Sequence, residues 1–168
     1  TDEYKTTKLV LKRVTPDTFA MGSPADEAFR LNCETLHQVA LSRAFYIGVF
    51  EVTQKQWERV MGDWPSWFRN VNDRDTRPVE QIGYISLRGW DEGCLWPASS
   101  DVGAGSFMSR LRACTGKAFD LPTEAQWEYA CRAGTTTPLN SGKSVTNNVQ
   151  DAGVDEVGRY YYDGGALG

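Results

Sequence analysis

Four cysteines and a single histidine carry most of the reactive chemistry in this 168-residue chain. Cys33, Cys94, Cys114 and Cys131 could act as nucleophiles or soft-metal ligands, and either role needs thiols brought together or a local field that lowers a thiol pKa. No two of them form a C-x-x-C pair, and Cys114 and Cys131 fall on the apolar stripes of expected helices. Burial or pairing is therefore expected of both. His37 is remote in sequence from any cysteine pair, so no structural zinc site is expected. It opens an alternating run and reads as a surface or packing residue with no general-base partner.

Oxygen ligands gather in the tail. Asp151, Asp155 and Asp163, with Asn147 and Asn148, lie among glycines in the kind of oxygen-rich setting that binds calcium, although their spacing matches no EF-hand loop. The adjacent carboxylates Asp26/Glu27 and Asp155/Glu156 read as solvated, because acid–base pairs must converge on one point. Asn140-Ser141-Gly142-Lys143-Ser144 ends like a phosphate-binding loop. Thr137 stands where its first glycine is required and no apolar strand precedes it, so nucleotide binding is not expected.

The elements that would position these groups are announced by two similar helix starts. Thr123 can cap the backbone of a helix while Gln126 reaches back to the cap's own N–H. Trp127, Ala130 and Cys131 follow at helical spacing, which predicts one buried stripe, and Gly134 supplies a stop. Thr53-Gln54-Lys55-Gln56-Trp57-Glu58 repeats the pattern, predicting a helix over Gln54 to Met61 with Val52 packed on Trp57 as a hydrophobic staple.

Short strands are predicted at Lys8 to Val14, Thr18 to Met21 and His37 to Leu41. The apolar run Phe45 to Phe50 predicts a strand entering the core. Trp64-Pro65-Ser66-Trp67-Phe68 reads as a loop pinned by its aromatics, Pro78 to Tyr84 as extended, and Ser86 to Gly89 as a brief helical turn. Ser106 to Thr115 predicts a helix with Phe107, Leu111 and Cys114 facing the core and Gly116 at its end. Beyond Gly134 the chain is polar until Val157 to Tyr162, and no independent second core is expected there.

Forty per cent apolar content over this length fits one domain, and 6 Trp with 16 Gly favour an irregular, loop-rich fold over a helical bundle. A net charge of -4 without a basic, aromatic-interleaved run argues against nucleic-acid binding. No apolar stretch of about 18 residues suggests a membrane span. The chain does not begin with Met, which reads as a trimmed N-terminus.

Several blocks, in order, are similar to the sulfatase-modifying factor family, the formylglycine-generating-enzyme-like domains. They are Phe19 to Pro24, His37 to Leu41, Phe45 to Gly48 continuing to Glu51 to Gln54 and Trp57, Val60-Met61-Gly62, Pro78-Val79-Glu80 and Leu121 to Gly134. Asp155 to Tyr160 resembles a recurrent bacterial continuation. The resemblance implies an α/β fold of the α+β kind, a C-type-lectin-like domain with short twisted sheets, two similar Trp-bearing helices and structural calcium in many members. It implies one domain over residues 1–168 whose C-terminal part is absent.

In the enzymes of this family, two cysteines of the C-terminal half, with copper and oxygen, convert a sulfatase cysteine to formylglycine. The Gly-Asn-Val-Trp-Glu-Trp, Arg-Gly-Gly-Ser and closing Gly-Phe-Arg blocks of that half are not in this sequence, so the chain is expected to be inactive by itself. Cys114 and Cys131 match positions that some members join to C-terminal cysteines, and are not the catalytic pair. Gly153 stands where many relatives carry a calcium-binding asparagine. No catalytic residue, cofactor ligand or metal ligand is therefore assigned, and copper is expected only in a complete, active domain.

Three functions follow from the resemblance. The first is part of an oxidase that modifies a cysteine in a protein or peptide substrate of the sulfatase type. The second is a non-catalytic ligand- or protein-binding module, as in the variable proteins of diversity-generating retroelements, which use the same framework. The third is a structural piece completed by the remainder of its own domain. A periplasmic, cell-surface or secreted setting is expected ahead of the cytoplasm.

Overall fold

The computed structural model describes residues 2–70, 72–90, 95–147 and 149–158. Cys94, Asn148, Asp163 and residues 159–162 lie outside the described residues. The architecture is mixed α/β. In chain order the elements are α1 (Glu3–Thr6), β1 (Leu11–Val14), β2 (Thr18–Met21), β3 (His37–Ala40), β4 (Phe45–Gly48), α2 (Gln54–Met61), a 3-10 turn (Arg74–Thr76), α3 (Tyr84–Arg88), α4 (Phe107–Thr115), α5 (Glu124–Arg132) and α6 (Ala152–Val157). Among the described residues two two-stranded sheets pair β1 with β4 and β2 with β3. Among the described residues no helix is long and apolar enough to cross a membrane. The chain divides into two compact units, Thr1–Lys12 with Tyr46–Leu121 and Arg13–Phe45 with Pro122–Gly168.

The first unit is organised by α2. Thr53 Oγ1 accepts from the Gln56 N–H and Gln56 Oε1 accepts from the Thr53 N–H at 2.9 Å, the reciprocal box expected from the sequence. Both capping side chains also hold the N-terminal segment: the Thr53 hydroxyl donates to the Lys5 carbonyl, and the Gln56 amide donates to the Lys8 carbonyl at 2.8 Å. Trp57 is 2% exposed, stacked on Phe107 with ring centroids 4.8 Å apart, and joined by Met108 and Leu111. Val52 packs on this cluster as the staple requires. The face of α4 that enters the core is Phe107, Met108 and Leu111, so Cys114 is left exposed and is not the core residue expected.

In the second unit β2 and β3 run antiparallel with Thr18 opposite Ala40 and Met21 opposite His37. Helix α5 begins at its own capping box on Thr123 and Gln126. Its expected stripe is corrected by the structure: Trp127 is 58% exposed and Cys131 is exposed. The opposite face packs instead, because Tyr129 sits on Phe19 of β2 at 5.0 Å and two polar side chains take hold of Gly22. Glu128 Oε1 accepts from the Gly22 N–H at 2.8 Å, and Arg132 donates to the Gly22 carbonyl at 2.7 Å while pairing with Glu128. Gly22 lies at φ 95, and a Cβ there would stand 2.6 Å from the Thr35 carbonyl oxygen. Backbone withdrawn even partly from water needs such partners, and here they outrank an apolar face that water can reach. The β4 expectation is likewise trimmed: the strand ends at Gly48, and Val49 and Phe50 are exposed rather than entering the core.

Candidate functional site

A cleft of about 460 Å³ in the first unit is lined by Pro65, Ser66, Trp67, Arg69, Asn70 and Gln81. Its shape follows from how the loop after α2 is fastened. Ser66 is buried, its hydroxyl accepting from the Glu80 N–H at 3.2 Å. Phe68 is tied at both ends of its peptide unit: its N–H donates to Glu80 Oε1 at 3.0 Å, and its carbonyl accepts from the buried Gln54 side-chain amide at 3.2 Å. Residues on either side of Trp67 are thus fixed, and the indole between them is turned out, 77% exposed. Of the loop's aromatics only Trp64 packs in as expected, half-buried against Lys55 of α2 and Arg74; buried Ser66 and the backbone of Phe68 hold the rest of the loop. Gln81, on the facing segment, has φ 64, a conformation that residues other than glycine seldom adopt.

A second polar centre in the same unit went unread in the sequence. Arg88 is 0% exposed and forks onto Asp120, Nε to Oδ1 at 2.7 Å and Nη2 to Oδ2 at 3.0 Å. Nη2 also donates to the carbonyls of Ser99 and Asp101, and Nη1 to Tyr84 Oη at 3.0 Å. Arg112 donates to Asp120 Oδ2 at 2.8 Å. The Trp96 amide and the Arg88 guanidinium, both donating to Tyr84 Oη, hold that phenol's pKa below its ordinary value. Burial opposes the Arg88 charge, and the bonds to Asp120 and Tyr84 together outweigh it, so the guanidinium's pKa lies above its ordinary value. Gly89, at φ 94, permits the close passage of the loop, since a Cβ there would fall 2.5 Å from the Gly103 Cα. This network fastens the segment from Trp96 to Asp101 to α3 and has its donors satisfied by protein, so it is a clamp. Its one sequence signal is an aspartate between Phe119 and Leu121.

In the tail, Asp151 is buried and caps α6. Its Oδ2 accepts from the Thr146 N–H at 2.6 Å, the Thr146 hydroxyl at 2.7 Å and the Asn147 N–H at 3.1 Å, while Oδ1 accepts from Gly153 and Val154. The Thr146 hydroxyl and amide, then the Gly153 and Val154 amides, hold the carboxyl well below the usual carboxylate range. Asn147 Oδ1 accepts from the Val149 N–H. Asp155 Oδ1 is buried with no hydrogen-bond partner among the described residues. Calcium takes about six to eight oxygens. The described tail, with Asp151 and Asn147 committed to N–H and hydroxyl donors and Asp155 as the one buried carboxylate with an oxygen left over, does not assemble that many. A Cβ at Gly153 would come 2.9 Å from Asp151 Oδ1, so glycine at this position makes room for the cap.

Cys33, Cys114 and Cys131 are free thiols, exposed on three different segments, and the burial expected of Cys114 and Cys131 is not what the structure has. Among the described residues no three His, Cys, Asp or Glu side chains converge to hold a metal ion, so the described donors do not fit copper. His37 is exposed at the start of β3, its Nδ1 within 2.7 Å of the Thr35 carbonyl, as a surface residue. Lys143 of the Gly-Lys-Ser segment pairs with Glu156.

A family model described as a sulfatase-modifying factor enzyme 1-like domain matches residues 5–165. The chaperone protein LppX of Paenibacillus barcinonensis is 32% identical over 149 residues, which cover 72% of this chain and 45% of LppX. The structure of PvdO from Pseudomonas aeruginosa is similar in fold, with a TM-score of 0.50 at 21% identity over 84% of this chain and 53% of the PvdO chain. This chain thus spans about half the length of the relatives it matches. Its short sheets and mixed α/β order agree with the fold that the sequence blocks implied.

Proposed function

Since the chain belongs to the sulfatase-modifying factor enzyme 1-like family, we propose that it works as a non-catalytic binding module of that family, with the cleft beside Trp67 as its contact surface. The observation that carries this reading is the outward indole of Trp67 between two anchored neighbours, in a cleft that Asn70 and Gln81 also line. A large exposed aromatic on fixed backbone binds with little ordering cost. The name of LppX, a chaperone, points to the same class of activity.

Ligands that bind the folded state raise its melting temperature. A fragment panel is expected to yield compounds that stabilise the parent chain and fail on the Trp67→Ala/Asn70→Ala double variant. Fragments that stabilise both proteins equally would remove this surface from the account.

Formylglycine generation is the second reading, favoured by the family match itself. Copper would supply oxygen activation there, and the described thiols make no site for it. Incubating the chain with copper, oxygen and a sulfatase-type cysteine peptide is expected to leave the peptide unchanged by mass spectrometry. An aldehyde product would establish the oxidase instead.

A further inference from the structure

Resting on the reading of this cleft as a contact surface, we propose that its ligand is a hydroxylated ring carboxylate. The ring lies flat on the Trp67 indole, its carboxylate is taken by the Arg69 guanidinium, and its hydroxyls meet the side-chain amides of Asn70 and Gln81.

The argument starts from the cations around the aromatic loop. Lys55 lies over the Trp64 ring at 5.1 Å and pairs with Glu58 at 2.6 Å. Arg74 lies over the same ring at 4.1 Å and pairs with Asp75 at 3.2 Å. Arg77 lies over Phe68 at 5.6 Å and pairs with Asp73 at 3.0 Å. Each of these charges has an aromatic partner, Trp64 being shared by two of them, and a carboxylate of its own. Arg69 is exposed, lines the cleft, and has neither partner among the described residues. Its guanidinium offers a rigid fork of N–H donors that matches the two oxygens of a carboxylate.

The rest of the lining defines what the carboxylate is attached to. Trp67 presents a flat apolar face, which selects a ring rather than a flexible chain. Asn70 and Gln81 each combine donors with an acceptor, the complement of hydroxyl groups. The volume of about 460 Å³ is in the range of small-molecule sites, roughly 300–1,000 Å³. Among the described residues no strand edge contributes to the lining, so they do not offer the main-chain pairing that an extended peptide would use. The site is also prepared in advance: the bonds of Ser66 and Phe68 to Glu80 and Gln54 fix the loop, and Gln81 is held at φ 64, a conformation that concentrates at ligand clamps.

Sugar acids and aromatic acids share this chemistry, and calorimetric titration of the whole chain separates them. The probes are digalacturonate and 3,4-dihydroxybenzoate, each beside its methyl ester, which has the same ring without the charge. At least one acid is expected to bind about tenfold more tightly than its ester. Arg69→Gln should weaken the acid about tenfold and leave the ester unchanged, as loss of a charge-assisted pair requires. Trp67→Ala should weaken acid and ester alike. Both side chains are exposed, so the variants should keep the parent's circular dichroism and melting temperature. Binding of digalacturonate but not the benzoate assigns a sugar acid, and the reverse assigns an aromatic acid. Failure of both acids to bind, or unchanged acid binding in Arg69→Gln, overturns the inference. If neutral fragments still need Trp67 while the acids do not bind, the contact surface stands and this ligand class falls. If neither fragments nor acids depend on Trp67, both fall together.

Discussion

Replacing Trp57 by alanine and, separately, Trp127 by alanine tests whether two helices with the same capping grammar are used in opposite ways. Trp57 is 2% exposed, stacked on Phe107 with the rings 2° from parallel, and its indole N–H donates to Asp63 at 2.8 Å. Removing a buried tryptophan of this kind costs about 3–5 kcal/mol, which includes the cavity left against Phe107, Met108 and Leu111. Trp127 is 58% exposed. Its loss forfeits modest contact, and alanine's better helix propensity returns roughly 0.5 kcal/mol, so the net change should stay near zero. For a chain of this length each kcal/mol moves the midpoint by about 2–4 °C. Thermal melts followed by circular dichroism should therefore show Trp57→Ala lowered by roughly 6–20 °C and Trp127→Ala within a degree or two of the parent. Urea titration would give the same ranking. Equal losses, or a larger one for Trp127→Ala, would mean that α5 buries the stripe its sequence suggests, and the packing described for Gly22 would be wrong.

Asp120→Ala should cost about 3–5 kcal/mol in urea unfolding, because it strands the buried Arg88 charge; a loss under 1 kcal/mol would show that Arg88 can reach water. The depressed pKa of Asp151 makes its contribution complete above the ordinary carboxylate value of 3.8 and lost as pH falls through the folded value. Melting temperature should fall on acidification below about pH 4 in the parent, and Asp151→Asn, which cannot ionise, should lose that part of the slope; an unchanged slope would refute the assignment. Chelation followed by calcium addition should leave the melting temperature where it was, since Asp151 and Asn147 are committed to N–H donors. A rise on adding calcium would contradict that accounting.

What could be read from the chain in advance was local. Both capping boxes act across three residues, and both formed as written, with α2 spanning Gln54 to Met61 and β2 spanning Thr18 to Met21. The family blocks are strings of neighbours and were equally legible. What escaped depends on partners far along the chain. Periodicity offers α5 two faces, and the choice between them was made by Gly22, which lies 106 residues from Glu128 and 110 from Arg132. Arg88 and Asp120 are 32 residues apart, and neither looks buried by type. Cys114 yielded its core place to Met108, an equally apolar neighbour on α4. The cleft was invisible because its indole is exposed by anchors on either side, one a small serine and the other a backbone unit. Asp151 stands in an oxygen-rich stretch by composition, but what reaches its carboxylate is the N–H groups of Thr146, Asn147 and Gly153, which composition does not display.

The most direct test of the contact surface uses the chain's 6 tryptophans as reporters. With 15N placed at the indole nitrogens and Trp67 assigned through Trp67→Phe, phenol is titrated while the N–H resonances are followed by NMR. The account predicts that the Trp67 resonance moves first and furthest, while those of buried Trp57 and of Trp90 and Trp127, which are exposed and do not line this cleft, stay in place. Movement of Trp127 or Trp90 as large as that of Trp67 would show adsorption on any exposed indole and would contradict a built site.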